Sequence, residues 1–243
     1  MENVMEKTIG EIVAADYRAA QVFKDHKIDF CCKGNRSIAE ASRDKKIDVN
    51  RLIAELEAAM QVRQADTSDY KTWPLDLLAD YIEKKHHRYV EEKMPILKQY
   101  LQRLCQVHGA HHPELFEIND EFKLSCGELA AHMKKEEFIL FPHIRKMTKV
   151  KTSKTKMDVP HFGSIQNPVQ VMMSEHTTEG DRFAKISQLS NNYTPPADGC
   201  NTYRVAFALL NEFEQDLHLH IHLENNILFP KSILLEEELT SVV

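Results

Sequence analysis

Two stretches of this sequence carry residues whose types and spacing could do chemistry. HMKKEEFILFP runs from His132 to Pro142, and HIHLENNILFP runs from His220 to Pro230. Both fit His-x-x-x-Glu-x-x-Ile-Leu-Phe-Pro. Residues four apart stack on one face of a helix, so each stretch aims an imidazole and a carboxylate the same way. Each also has a histidine upstream, His87 and His176, at separations of 45 and 44 residues. The pattern reads as a duplicated helix pair that brings six ligands, His87, His132, Glu136, His176, His220 and Glu224, to one metal centre.

On a helical wheel His132 and Glu136 share a stripe with Leu129, Met133 and Leu140, and His220 and Glu224 share one with Phe213, Leu217 and Leu228. Both pairs therefore face a core. Burying carboxylates and imidazoles without partners is costly, and two such pairs facing each other call for cations. One pair alone would read better as a polar core contact; two matched pairs with matched upstream histidines outweigh that reading. His176 lies on an apolar stripe with Met172, Met173 and Phe183. On the first helix the wheel puts His86 near the stripe centre and His87 toward its edge. The duplication selects His87, because the offsets His87 to His176 and His132 to His220 are 89 and 88.

Four imidazoles and two carboxylates differ from closed, Cys-rich structural zinc sites. They suit a first-row ion that prefers nitrogen and oxygen, with iron the leading candidate and zinc and manganese also compatible. If both carboxylates bridge two irons, each iron holds two histidine nitrogens and two carboxylate oxygens. A bridging oxo or hydroxo group then leaves one position per iron for a small molecule. His218 and His222 sit two residues from His220 and face elsewhere. Glu128, one turn before His132, and Glu175, beside His176, are candidates to orient a ligand, although such carboxylates are more often simply solvated.

Four long helices must position these groups. Helical periodicity places them at about 75–106, 113–147, 168–191 and 201–235, which suits an up-down-up-down bundle. Pro95 falls inside the first, where a kink or tightened turn is expected. The turn His108–Pro113 holds three histidines, and a solvated turn is its plainer reading. The segment 148–167 reads as a loop with a basic run through Lys149, Lys151, Lys154 and Lys156.

Residues 1–60 read as a small helical domain, 61–74 as a flexible linker, and 75–237 as the bundle. Thr8 and Glu11 fit a capping box opening a helix to about Lys24, and Ser37 and Glu40 fit a second. Asp48 or Asn50 caps a third helix ending near Met60. Between the first two lies Asp29-Phe30-Cys31-Cys32-Lys33-Gly34-Asn35, a turn in which Gly34 and Asn35 tolerate positive φ. The bland reading is a turn holding two small apolar residues. The sharper one is a pair of redox thiols, Cys31 and Cys32, lowered in pKa by Lys33 and a helix N-terminus. Such a pair could bind metal, accept a persulfide or exchange with a disulfide. Across a flexible linker it would move relative to the metal centre.

Composition bounds the partners. The chain has 243 residues, 42% hydrophobic and 28% charged, with seven glycines, a mixture suited to a helical globular core. A net charge of −6 argues against a general nucleic-acid binder. No apolar run approaches the roughly 18 residues of a membrane span, and the N-terminus lacks a secretory signal core. Five cysteines without disulfide-framework spacing suit a reducing cytoplasm.

Taken together, Asp29-Phe30-Cys31-Cys32, His87 eight residues before Pro95, the two His-x-x-x-Glu stretches and Ser174-Glu175-His176 resemble the RIC (repair of iron centres) family. The resemblance spans nearly the whole chain. It implies an all-α fold: a hemerythrin-like four-helix bundle preceded by a small helical Cys-Cys domain. It implies two iron ions, oxo- or hydroxo-bridged, with His87, His132, His176 and His220 as terminal ligands and Glu136 and Glu224 bridging. It further implies a cytoplasmic stress-response protein, often a homodimer, that repairs iron–sulfur proteins damaged by nitric oxide or oxidants, by supplying iron. Nitric oxide or oxygen would be the small-molecule ligand. The competing functions are enzymatic nitric oxide reduction and plain nitric oxide or oxygen binding at the same centre. Two features depart from the family: Lys33 precedes the single Gly34 where two glycines are common, and the 148–167 loop is longer.

Overall fold

The computed structural model describes residues 6–61, 69–157 and 160–241. The fold is all-α. In the N-terminal part, α1 (Ile9–Ala15) opens on the Thr8–Glu11 capping box, with the Glu11 backbone N–H donating to Thr8 Oγ1 and the Thr8 N–H to Glu11. The helix expected to reach Lys24 breaks at Asp16, whose backbone is extended, and α2 (Ala19–Asp25) follows. The cause is local chemistry. The Asp16 carboxylate accepts from the Arg18 backbone N–H at 3.1 Å and from Arg18 Nε at 2.8 Å, the short-range competition that takes Asp out of helix interiors. Arg18 also donates to the Met60 carbonyl at 2.5 Å, pinning the corner to the end of α4. Ser37 and Glu40 cap α3 (Ile38–Lys45) as expected, and Asp48 Oδ1 accepts from the Asn50 N–H at 2.9 Å to open α4 (Val49–Gln61).

The bundle has four helical rods. The first comprises α5 (Leu75–Tyr81), a π-helical turn over Ile82–His87 and α6 (Arg88–His108). The second comprises α7 (Glu114–Lys135), a π turn over Glu136–Leu140 and α8 (Phe141–Ser153). The third is α9 (Gln166–Leu189), and the fourth comprises α10 (Asn201–Leu223), a π turn over Glu224–Leu228 and α11 (Phe229–Ser241). Packing runs α6 on α7, α7 on α9, α9 on α10 and α10 on α6, which closes the bundle. Its core includes Phe122, Phe183 and Phe213, with Phe213 edge-on to Phe122 at 5.5 Å and stacked on Phe183 at 5.7 Å. Among the described residues no helix is long and apolar enough to cross a membrane.

Within the bundle rods two expectations change. The rod stays α-helical through Pro95, and its irregular turn lies instead at 82–87. The loop expected from Thr148 begins later, because α8 continues to Ser153 and ends on Lys154 in the left-handed region at φ 52°.

The two π turns of the repeated stretches have a readable cause. In each, Pro is the second residue beyond the turn, Pro142 and Pro230. Proline has no N–H, and its ring crowds the carbonyl four residues back. The preceding residues, Phe141 and Phe229, donate five residues back to Glu136 O and Glu224 O, so the backbone widens where the carboxylates sit. Such widened turns are frequent at functional sites.

Of the expected linker, residues 62–68 lie outside the described residues. Tyr70–Thr72 forms a 3₁₀ turn packed on the bundle. Tyr70 Oη lies 3.1 Å from Tyr81 Oη, Trp73 stands edge-on to Tyr81 at 5.2 Å, and Lys231 donates to the Lys71 carbonyl. The Cys-Cys turn is held too. Asn225 Nδ2 donates to the Cys31 carbonyl at 3.1 Å, and Phe30 packs on His218 and His222. The mobility expected of that turn gives way to a packed interface, whose apolar part joins α1–α4 and the bundle in one core.

Candidate metal centre

The six residues singled out by spacing converge in the bundle interior. Two overlapping clusters form: His87, Glu136, His220 and Glu224, and His132, Glu136, His176 and Glu224. Within each, one candidate ligand atom per residue lies within 4.8 Å of the others, and all six residues are buried. Both carboxylates belong to both clusters. Each cluster takes one histidine from each half of the duplication, a crossing that spacing along the chain does not show.

The contacts explain why these atoms point inward. His87 Nε2 stands 3.3 Å from Glu136 Oε2, His132 Nε2 3.4 Å from that oxygen, His176 Nε2 3.2 Å from Glu224 Oε2, and His220 Nε2 3.1 Å from Glu224 Oε1. His132 Nε2 and His176 Nε2 face each other at 3.0 Å. Yet both Glu136 oxygens, Glu224 Oε2 and His87 Nε2 are buried without a hydrogen-bond partner. Native interiors rarely tolerate that. Buried acceptor atoms converging on two adjacent points, two nitrogen and two oxygen donors at each, fit a pair of first-row cations.

Electrostatics agree. Burial and the Glu224 charge push the Glu136 carboxyl up, but His132 and His87 outweigh them and hold it below its ordinary value. Burial opposes a charge on His132, and Glu136 and Glu175 overcome it, raising the imidazole to about 10. A metal ion held by these groups would take the place of their protons.

Outer partners fix three of the four imidazoles, whereas His220 Nδ1 is buried without a hydrogen-bond partner. Glu137 Oε1 lies 3.1 Å from His87 Nδ1, Glu175 Oε2 2.7 Å from His132 Nδ1, and Asn225 Oδ1 2.8 Å from His176 Nδ1. A carboxylate can only accept, so Nδ1 of His87 and His132 donates, and Nε2 is the nitrogen left to face a metal. Asn225 spends its amide N–H on Cys31, which turns its oxygen toward His176. The Phe of each Ile-Leu-Phe-Pro backs the upstream histidine of its own half. Phe141 stacks on His87 at 5.5 Å, and Phe229 stacks on His176 at 5.9 Å. Glu175 thus orients His132, whereas Glu128 pairs with Arg182 at 3.1 Å. Glu137 and Asn225 went unread in the sequence. The signal was present, since both directly follow the Glu of the repeat.

His86 and His87 are both fully buried, but only His87 joins a cluster. His86 Nδ1 turns to Asp216 Oδ1 at 3.0 Å. A wheel drawn at α-helical pitch favours His86; the π turn at 82–87 changes the register that the wheel assumes.

The Cys-Cys turn sits beside this centre, with Cys32 Sγ 3.2 Å from the His176 carbonyl oxygen. Two expectations for it fail. Contact with Cys32 and burial push the Cys31 thiol well above its ordinary value, so it is not poised as a thiolate. Lys33 lies 3.8 Å from Asp181 on the surface. Among the described glycines only Gly163 has positive φ. Gly34 is needed for space instead: a Cβ there would stand 2.6 Å from Phe30 O and 3.0 Å from Asn226 Oδ1. His222, buried between Tyr17 and Phe30, is lowered to about 3 by that burial and stays neutral in the interface.

Comparison with known proteins agrees with this geometry. Residues 78–232 match the hemerythrin HHE cation binding domain, and residues 5–60 match ScdA_N, a domain of unknown function (DUF542). The chain is 33% identical over 228 residues to the iron-sulfur cluster repair protein YtfE of Yersinia pestis (strain Pestoides F), covering 93% of this chain and 96% of that protein. This chain belongs to the iron–sulfur cluster repair family. The protein of the same description from Yersinia pseudotuberculosis serotype O:1b (strain IP 31758) matches to the same extent, 33% over 228 residues. The bundle of this family member is therefore a cation-binding domain, and its His and Glu clusters could hold the metal.

Proposed function

We propose that this chain is a di-iron protein that repairs iron–sulfur clusters damaged by nitric oxide or oxidants, and that it does so by supplying iron. The observation that carries the reading is the pair of clusters sharing Glu136 and Glu224. His87 and His220 would hold one iron and His132 and His176 the other, with both carboxylates bridging and an oxo or hydroxo group completing the pair. When bound, the irons supply redox-active Lewis acids with room for a small ligand. The chain's own contribution is to orient the imidazoles through Glu137, Glu175 and Asn225 and to exclude water around the carboxylates. The partners would be damaged iron–sulfur proteins, with nitric oxide or oxygen as the small ligand, in the cytoplasm.

The test loads the protein with labelled iron and mixes it with an apo cluster protein. Label should appear in the acceptor faster than from an equal amount of free iron held by a weak chelator. An acceptor that takes label from the chelator and none from this protein contradicts iron donation. The adjacency of two metal positions also favours a second reading, reduction of nitric oxide. Nitrous oxide formed with turnover by the reduced protein would support it, and stoichiometric nitrosylation without turnover would count against it.

A further inference from the structure

The di-metal centre does not use the cluster of Asp29, Cys31 and Cys32, whose candidate ligand atoms also lie within 4.8 Å of one another. Cys31 Sγ and Cys32 Sγ are 3.7 Å apart, and Cys31 Sγ is 3.3 Å from Asp29 Oδ1. Two thiolates on one tetrahedral ion, each about 2.3 Å from it, stand about 3.8 Å apart. The sulfurs therefore hold the separation that a shared ion requires, and without an ion the same spacing serves an S–H···S contact. The turn is prearranged: Asp29 Oδ1 accepts from the backbone N–H of Cys31 at 3.1 Å and of Cys32 at 2.9 Å. Gly180 of α9 leaves room for one sulfur, since a Cβ there would stand 3.1 Å from Cys32 Sγ.

We propose that Asp29, Cys31 and Cys32 form a third metal site, which takes one thiophilic divalent first-row ion such as Fe(II) or Zn(II). Three protein ligands leave a fourth tetrahedral position open, unlike the closed four-ligand sites that only brace a fold. Binding converts two thiols to thiolates and releases their two protons to water. The site adjoins the di-metal centre on the His132/His176 side. Cys32 Sγ meets the His176 carbonyl, and Asn225 joins the Cys31 carbonyl to His176 Nδ1. Its use as a way station for iron rests on the proposed function; its existence as a metal site does not.

The test titrates cobalt(II) into the full-length, iron-loaded, thiol-reduced protein, with iron measured before and after. One equivalent of cobalt should bind with sulfur-to-cobalt charge-transfer absorption while iron is retained. Cys32→Ser should abolish that absorption, and Cys200→Ser should keep it. A second measurement needs no variant: cobalt should slow alkylation of Cys31 and Cys32, mapped by mass spectrometry, at least tenfold while Cys200 stays reactive. Absence of the sulfur absorption in the native protein, its survival in Cys32→Ser, or unprotected Cys31 and Cys32 would each overturn the third site. The iron content of the same samples reports separately on the di-metal ligands.

Discussion

The two halves of the duplication build the same inner donors and different supports. In the first half, Glu137 follows the shared Glu136 and presents a carboxylate to His87; in the second, Asn225 follows Glu224 and presents an amide to His176. A carboxylate makes an imidazole a stronger donor, whereas an amide orients it without adding charge. The amide also has a second hand. It holds Cys31, so this support also reaches the N-terminal domain, whereas Glu137 meets Arg88 and Lys134 within the bundle. His87 lies at the end of a π turn, whereas His176 lies within the uninterrupted α9. Pseudo-symmetry in the donors thus coexists with an asymmetry in the residue after each shared Glu, a charged support for His87 and a neutral, domain-linked one for His176.

The largest effects should come from what the halves share. Glu136→Ala or Glu224→Ala removes a ligand from both clusters, and either variant should purify with well under one iron per chain by elemental analysis. A variant that keeps both irons breaks the bridging assignment. His87→Ala or His220→Ala removes a ligand from one cluster only, and should leave the His132/His176 position the better occupied. His86→Ala should retain its iron, and equal losses in His86→Ala and His87→Ala would contradict the placement of His87.

The supports come next. Glu137→Gln and Asn225→Leu should each weaken metal binding about 10- to 100-fold, the usual cost of losing such a partner, measured by competition with a chelator. Only Asn225→Leu should also speed alkylation of Cys31 and Cys32. Equal thiol exposure in both variants would remove the distinction between the halves.

The smallest effect lies at the far end of the bundle and serves as a control. Exposed Cys200 is lowered to about 7, first by its 3.2 Å contact with His108 Nε2 and then by backbone N–H groups of α10. Its folded pKa is depressed, so the thiolate persists down to about pH 7 and is lost below it. Iodoacetamide should modify Cys200 first at neutral pH. His108→Gln should slow that reaction roughly tenfold at pH 7, as the thiol returns toward its ordinary pKa of about 8.5, with no change in metal content.

Much of this was legible in the sequence. The helical rods, the capping boxes at Thr8 and Ser37, and the six residues of the two clusters followed from apolar period and a matched repeat. The misses have physical causes. Asp16 broke a helix through a side-chain contact with Arg18, which a capping signal at Thr8 cannot foresee. The choice of His87 over His86 needed the duplication, because a wheel assumes α pitch through the very turns that are π. Which histidines pair across the halves depends on rod packing, not spacing. The seating of Cys31 and Cys32 depends on Asn225 and Asn226, which the repeat displayed but whose partners lie about 190 residues away.

The most direct test of the shared-carboxylate centre is elemental analysis of the native protein, purified from iron-replete cells, together with its absorption spectrum. Two adjacent positions sharing both carboxylates should give about two irons per chain with oxo-bridge absorption. A single ion per chain, or iron without any bridge signature, would contradict it.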